Sequence, residues 1–340
     1  MTTIADLRSD TITQPTDAMR EAMMAAPLGD DVLGDDPTVL ELQDRMAQLL
    51  GKEQACFVPS GTMANQLAIR AQTEPGDELL CHADSHIYCY EGGGPAALAG
   101  CSFCFLPGDR GMFTAEDIDA HIRPDDHHFP PSKLLVVENT QNRGGGVVWP
   151  MPQLKAVTEQ ARHHGLRCHL DGARLWNASI ASGDSPAAIA EPFDTVSACF
   201  SKGLGAPVGS IVAGDAATMA RVHRFRKMFG GTMRQSGLLA AAALHALDHH
   251  MDRLADDHAR ARRLAEAIDG CSGLGVDLNA VETNIVYFKV ENAQAFVDAL
   301  DARGVHMLMI EPNKARAVTS LAIDDAGIEH AISVLQDLTA

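Results

Sequence analysis

Positive charge is what this chain has least of. Lys and Arg together number 27 against 45 Asp and Glu, a formal charge of -18, which disfavours broad attraction to nucleic-acid phosphates or to an acidic membrane surface. Only a local basic pocket for a small anion is compatible with that balance. No apolar run approaches the roughly 18 residues of a spanning helix, and the opening MTTIADLRSD has neither the basic nor the apolar region of a secretion signal. A cytoplasmic protein with no nucleic-acid and no membrane partner is expected. The eight cysteines are scattered over 340 residues without a close-spaced framework, so reduced thiols fit better than disulfides. Cys101 and Cys104 are the one close pair; they lie in an apolar, strand-like run and lack a second pair to complete a zinc site. The histidine doublets His127/His128, His163/His164 and His249/His250 form no HExxH pattern, and no metal is expected.

What is present is a globular composition, 46% apolar and 21% charged, in a chain long enough for one large core and a smaller second lobe. Helical periodicity alternates with short apolar runs through the first two thirds, the order of an α/β layer fold. The segment 37–51 has a proline start, an apolar stripe and a glycine stop, and predicts a helix. Strands are expected at 78–81, 102–106, 134–137, 166–170, 195–200 and 210–213, most of them short and apolar as buried parallel strands are. From 235 to about 268 one long helix or two abutting ones should link the lobes. Beyond 275 the pattern strand, helix, strand, strand, helix predicts a compact α+β unit. The division expected is an arm and large domain over 1–250 and a small domain over 251–340.

Lysine is rare, with seven in the chain, and six have ready surface or strand-edge explanations. Lys202 follows the apolar run TVSACFS and precedes GLGAPVGSIV, with no other charge between Asp194 and Asp215. Such surroundings disfavour an ammonium and favour a nucleophilic amine, hence Schiff-base chemistry; a loop lysine that snorkels to solvent is the plain alternative. GLGAPVG is not a dinucleotide fingerprint, because its third glycine is one place late and a strand-like run follows. In LDGAR, an apolar strand ends in Asp171 with Arg174 three residues on. Ligands of parallel sheets bind beyond the carboxyl ends of strands, so Asp171 and Lys202 could meet one ligand there. A carboxylate facing a pyridine nitrogen and a lysine forming an imine are the two anchors that pyridoxal phosphate requires; the plain alternative for Asp171 is a helix cap or turn aspartate. PSGTMANQL places Gly61 and Thr62 at an apparent helix start, suited to an anion or simply to capping.

Taken in order, DLRSDT, GDD, SGTMAN, HIYCYEGGG, ENT, LDGARL, SKGLGAPVGS and GGTMRQSG resemble the L-threonine aldolases among the fold-type I pyridoxal-phosphate enzymes. The resemblance runs from Asp6 to about His250. It implies the aspartate-aminotransferase-like architecture: a large, mostly parallel-sheet domain and a small α+β carboxy-terminal domain. It also implies pyridoxal 5'-phosphate as cofactor and a homotetramer, a dimer of dimers with active sites at the dimer interface.

By motif, the resemblance casts Lys202 as the lysine bonded to the cofactor, Asp171 as partner of the ring nitrogen and His86 as the group stacked on the ring. Gly61 and Thr62 would hold the phosphate, with Arg234 and Lys227 adding positive charge from a partner subunit. Ser9, Arg174 and Arg316 would grip the substrate carboxylate, a task suited to planar guanidinium groups. His128 would lie with His86 near the substrate hydroxyl, and Tyr90 and Glu91 would line the same pocket. Where the family continues its arginine motif with a histidine, this chain has Ser320. The implied reaction is cleavage of L-threonine or L-allo-threonine to glycine and acetaldehyde by a carbon–carbon lyase. Alternatives are an aldolase for phenylserine or 3-hydroxyaspartate, a β-eliminating lyase, or a binding protein that kept the fold without catalysis.

Overall fold

The computed structural model describes residues 4–340. Its largest sheet has seven strands, in spatial order Gln54–Val58, Ser210–Gly214, Thr195–Cys199, Arg167–Gly172, Ser132–Glu138, Glu78–His82 and Ser102–Leu106. Every residue of Thr195–Cys199 and Ser210–Gly214 is buried, which is why these strands read as continuous apolar runs. Helices cover the sheet because each crossover between parallel neighbours must leave the plane.

Two features differ from the expected strands. Gln54–Val58 has no counterpart among them; its apolar run is only ACFV, too brief to separate from the helix before it. Ser210–Gly214 is antiparallel to both neighbours rather than parallel. The link 200–209 allows a direct return but is shorter than the dozen or so residues a parallel crossover needs.

The helix Pro37–Leu50 shows how local sequence sets an element. Asp36 Oδ1 accepts from the Val39 amide at 3.2 Å, Pro37 stands where no donor is required, and Gly51 ends the helix at φ 62°. Val39, Leu42, Met46 and Leu50 recur at helical spacing and are buried in the main core. Each such side chain contributes about 1.5–3 kcal/mol of burial. The alanine-rich stretch after Gln235 forms two helices, Gly237–His249 and Leu254–Asp269. The chain turns between them where the His250 ring lies 2.7 Å from the Leu204 carbonyl.

A four-stranded antiparallel sheet, Leu308–Glu311, Lys314–Val318, Ile285–Lys289 and Gly275–Val276, forms the carboxy-terminal unit with the helices Leu254–Asp269 and Asp325–Thr339. Its core gathers Ala261, Leu264, Phe288, Ile328 and, from the other end of the chain, Ala5 and Leu7. Ala5–Asp6 pairs with Val305–His306, so the amino-terminal arm is fastened to the small unit before it reaches the large sheet. Leu254 packs into the large core and Ala261 into the small one; the change of core occurs within one helix.

Candidate active site

Six strands of the large sheet point the same way, and residues at or just beyond the ends of five of them form the site. Gly61 follows Gln54–Val58, His86 follows Glu78–His82, Glu138 ends Ser132–Glu138, Asp171 lies in Arg167–Gly172, and Lys202 follows Thr195–Cys199. This is the edge where open parallel sheets bind ligands. Both tryptophans brace it: the Trp176 indole donates to the Cys199 carbonyl at 2.8 Å and Trp149 to the Glu138 carbonyl at 3.2 Å.

A cavity of about 350 Å³ opens there, lined by Thr11, Ser60, Gly61, Thr62, Asn65, His86, Asp171, Cys199 and Lys202 among others. Its floor is the start of the helix Gly61–Gln72. Ser60 caps this helix through the Met63 amide, at 3.2 Å, leaving the first amides free for an anion. A Cβ on Gly61 would come 2.7 Å from Cys199 Sγ, so glycine lets strand and helix start approach closely. From the arm, Thr13 Oγ1 donates to the Lys202 carbonyl at 3.0 Å.

Asp171 sits in a buried hydrogen-bonded array. Its Oδ2 accepts from Asn65 Nδ2 at 2.9 Å, and the same nitrogen donates to Glu91 Oε1 at 2.8 Å. Asn65 Oδ1 faces the Ser197 hydroxyl at 2.8 Å and His169 Nε2 at 3.1 Å. Burial keeps His169 neutral, its pKa pushed down to about 4 in spite of the nearby Asp171. His86 Nδ1 lies 2.8 Å from Glu91 Oε1, and the His86 amide donates to Glu138 Oε2 at 2.8 Å. Burial works against an imidazolium at His86, but Glu91, Asp171 and Glu138 together hold its pKa above the usual histidine range. Burial, with Asp171 alongside, raises the Glu138 pKa as well, to about 7 and well above an ordinary carboxylate.

The arginines divide. Arg174 is buried and held side-on by Asp10, with Nε at 2.7 Å and Nη2 at 2.8 Å, while its Nη1 reaches Asn142 Oδ1 at 3.3 Å. Arg316 Nη1 approaches the same Asn142 oxygen at 3.5 Å and its Nη2 donates to the Arg8 carbonyl at 3.2 Å. Ser9 stands beside them on the arm, capping Thr11. Tyr90 is half exposed, its ring 5.5 Å from His86 and its hydroxyl paired with Arg143 at 3.0 Å.

Of the residues named from sequence, Gly61, Thr62, His86, Asp171 and Lys202 line this cavity, Ser9, Tyr90, Arg174 and Arg316 do not, and three more lie away from it within one chain. His128 lies on an exposed loop, 2.6 Å from Asp126. Arg234 is exposed and paired with Asp30 at 2.8 Å. Lys227 lines a separate groove of about 670 Å³ with Leu33, Leu40 and Arg226. Glu91 is nearby, but its side chain is fully buried, so it lines no pocket surface. Sequence reading missed Asn65, Asp10, Glu138 and Asn142. The available signal was the polar pair Asn65/Gln66 inside an otherwise apolar helix face, and the charged residues of DLRSDT and ENTQN next to apolar runs.

A model of the family described as beta-eliminating lyase matches residues 6–292. The chain belongs to that family, among its L-threonine aldolases. It is 41% identical over 342 residues to the probable low-specificity L-threonine aldolase 2 of Arabidopsis thaliana, covering 98% of this chain and 96% of that one. It is 45% identical over 305 residues to the low specificity L-threonine aldolase of Escherichia coli K12, covering 88% and 89%. The solved threonine aldolase of Leishmania major shares its fold at a TM-score of 0.87 and 22% identity, over 98% and 99% of the two chains. The fold-type I architecture implied by the sequence resemblance is therefore the one observed, and the chain is a carbon–carbon lyase of this family.

Proposed function

We propose that this lyase uses pyridoxal 5'-phosphate to cleave L-threonine and L-allo-threonine into glycine and acetaldehyde. The observation that carries this reading is one cavity in which Lys202, Asp171, His86 and the free amides at Gly61 and Thr62 converge. These residues fit the coenzyme: an amine for its aldehyde, a carboxylate for its ring nitrogen, an aromatic ring for its face and a helix start for its phosphate. The chemistry the coenzyme would supply there is an electron sink for the pair released at Cα when the Cα–Cβ bond breaks.

The rest is the work of the chain's own groups. Arg174 and Arg316, steadied by Asp10 and Asn142, hold the substrate carboxylate, with Ser9 beside them. His86 takes the proton from the β-hydroxyl, so the Cβ–O bond becomes the carbonyl of acetaldehyde. Asp171 would face the ring nitrogen, Cα would take up a proton in place of its bond to Cβ, and the Lys202 amine would displace glycine by re-forming its own bond to the coenzyme. His128, Arg234 and Lys227 join the site from a second copy in a homotetramer. The groove that contains Lys227 supports such a neighbour, being lined by the exposed apolar Leu33 and Leu40.

The test is direct. Purified protein given the coenzyme should absorb in the visible, carry a borohydride-fixed label on Lys202 and release acetaldehyde and glycine from L-threonine; Lys202→Ala should lose all three. A label at another lysine, or an active and still yellow K202A, would overturn the assignment. Pyruvate and ammonia in place of glycine and aldehyde would favour a β-eliminating lyase.

A further inference from the structure

We infer that Glu91 is a positioning residue, not a substrate contact: it holds His86 by Nδ1 and, through Asn65, joins that imidazole to Asp171 as one hydrogen-bonded unit. The inference rests on the aldolase reading, in which His86 faces the substrate hydroxyl and Asp171 the coenzyme ring. Its basis is geometric. The carboxylate of Glu91 has no exposed surface and is filled by donors, with Asn65 at 2.8 Å and His86 at 2.8 Å on Oε1 and Gln66 at 2.5 Å on Oε2. The contacting atoms of His86, Glu91 and Asp171 lie within 4.8 Å of one another.

Donor and acceptor chemistry then sets the direction of each bond. A carboxylate can only accept, so His86 carries its proton on Nδ1 and leaves the Nε2 lone pair as the base. Asn65 uses its two N–H groups on two different carboxylates, and its orientation is fixed from behind by Ser197 and His169. The glycines after Glu91 serve this arrangement. A Cβ on Gly94 would lie 2.6 Å from Gln66 Cδ, displacing the amide that holds Glu91 Oε2.

The charged and titratable groups facing His86 come from several elements: Tyr90 and Glu91 from its own segment, Glu138 and Asp171 from two strands, and Lys202 across the cavity. Arg143 acts one step away through the Tyr90 hydroxyl. Removing the Glu91 charge leaves the others in place and releases His86 Nδ1 from a fixed acceptor. The base should then lose both its tautomer and part of its basicity while the carboxylate grip on the substrate is untouched.

Two measurements test this on the coenzyme-loaded protein. In the first, ¹⁵N-labelled histidine is followed by NMR, with the His86 signals identified by their loss in His86→Gln. Nδ1 should be protonated and Nε2 free in the unmodified protein, and Glu91→Gln should shift the balance toward Nε2–H. In the second, E91Q should lower kcat for L-threonine by about tenfold or more and move the acid limb of its pH profile down by about one unit, with KM nearly unchanged. Glu91→Asp, which keeps the charge, should recover part of kcat. An Nε2–H tautomer in the unmodified protein, an E91Q profile identical to it, or a raised KM at constant kcat would overturn the inference. The NMR arm needs no substrate: a Glu91-dependent tautomer without acetaldehyde formation would sink the aldolase reading instead, and the two failures are separable.

Discussion

Asp10 accepts from two nitrogens on one edge of the Arg174 guanidinium, at 2.7 and 2.8 Å, with both side chains buried. Burial alone would raise the Asp10 pKa, but the charge and hydrogen bonds of Arg174 hold it down at about 2. Because the folded value lies below the ordinary carboxylate value of 3.8, this pair contributes stability above about pH 4, and that contribution is lost as pH falls from there through 2. About 2 kcal/mol is at stake. Unfolding free energies measured from pH 6 to 2 should fall more steeply in the unmodified protein than in Asp10→Asn. At neutral pH D10N should be less stable by about 3 kcal/mol, since it strands a buried guanidinium.

His169 supplies a second acid-sensitive element with the same outcome from a base. Its folded pKa of about 4 lies below the ordinary 6.5, so the unfolded chain binds the proton more readily. Its contribution is complete above pH 6.5 and is lost as pH falls toward 4, amounting to about 3 kcal/mol. Urea denaturation at pH 7 and pH 4.5 should show a smaller difference for His169→Gln than for the unmodified protein. Equal differences would remove His169 as a contributor.

Gly61 should tolerate no side chain while Cys199 is present. Gly61→Ala places a methyl group 2.7 Å from Cys199 Sγ, an overpacking that costs about 1–3 kcal/mol and tilts the helix start. Equilibrium dialysis should show coenzyme affinity weakened by about tenfold, the equivalent of roughly 1.4 kcal/mol. Cys199→Ala in the same chain should restore most of it, because the collision partner is gone. Failure of that rescue would assign the loss to the backbone instead.

Asn142 offers one carbonyl oxygen to two guanidinium groups, Arg174 at 3.3 Å and Arg316 at 3.5 Å. A substrate carboxylate held by both arginines must compete with or replace it. Asn142→Asp would install a permanent anion there, and KM for L-threonine should rise about tenfold or more with a smaller change in kcat. Steady-state kinetics decide between this and an effect confined to kcat.

Much of the site was legible residue by residue. Lys202 stood out because lysine is rare and this one is delivered by an apolar strand; Asp171 stood out because an apolar strand ended in a carboxylate. What composition and spacing could not reveal was partnership across sequence. Asn65 is 106 positions from Asp171, and Asp10 is 164 from Arg174, distances over which no periodicity carries information. Glu91 looked like a pocket residue because it is five positions from His86, whereas the chain turns away at Gly92 and Gly93, both at positive φ, and its carboxylate is sealed inside.

By itself the sequence determined most of the order of helices and strands, the strand-end placement of Lys202 and Asp171, and the caps that start and stop helices such as Pro37–Leu50. Those depend on local backbone preference and on burial of short apolar runs. Only the tertiary structure decided that the amino-terminal arm is held by the carboxy-terminal sheet, that Ser210–Gly214 reverses direction, and that His86 and Asp171 share one asparagine. Each of these depends on which distant surfaces exclude water together, and that is settled when the sheets and helices pack.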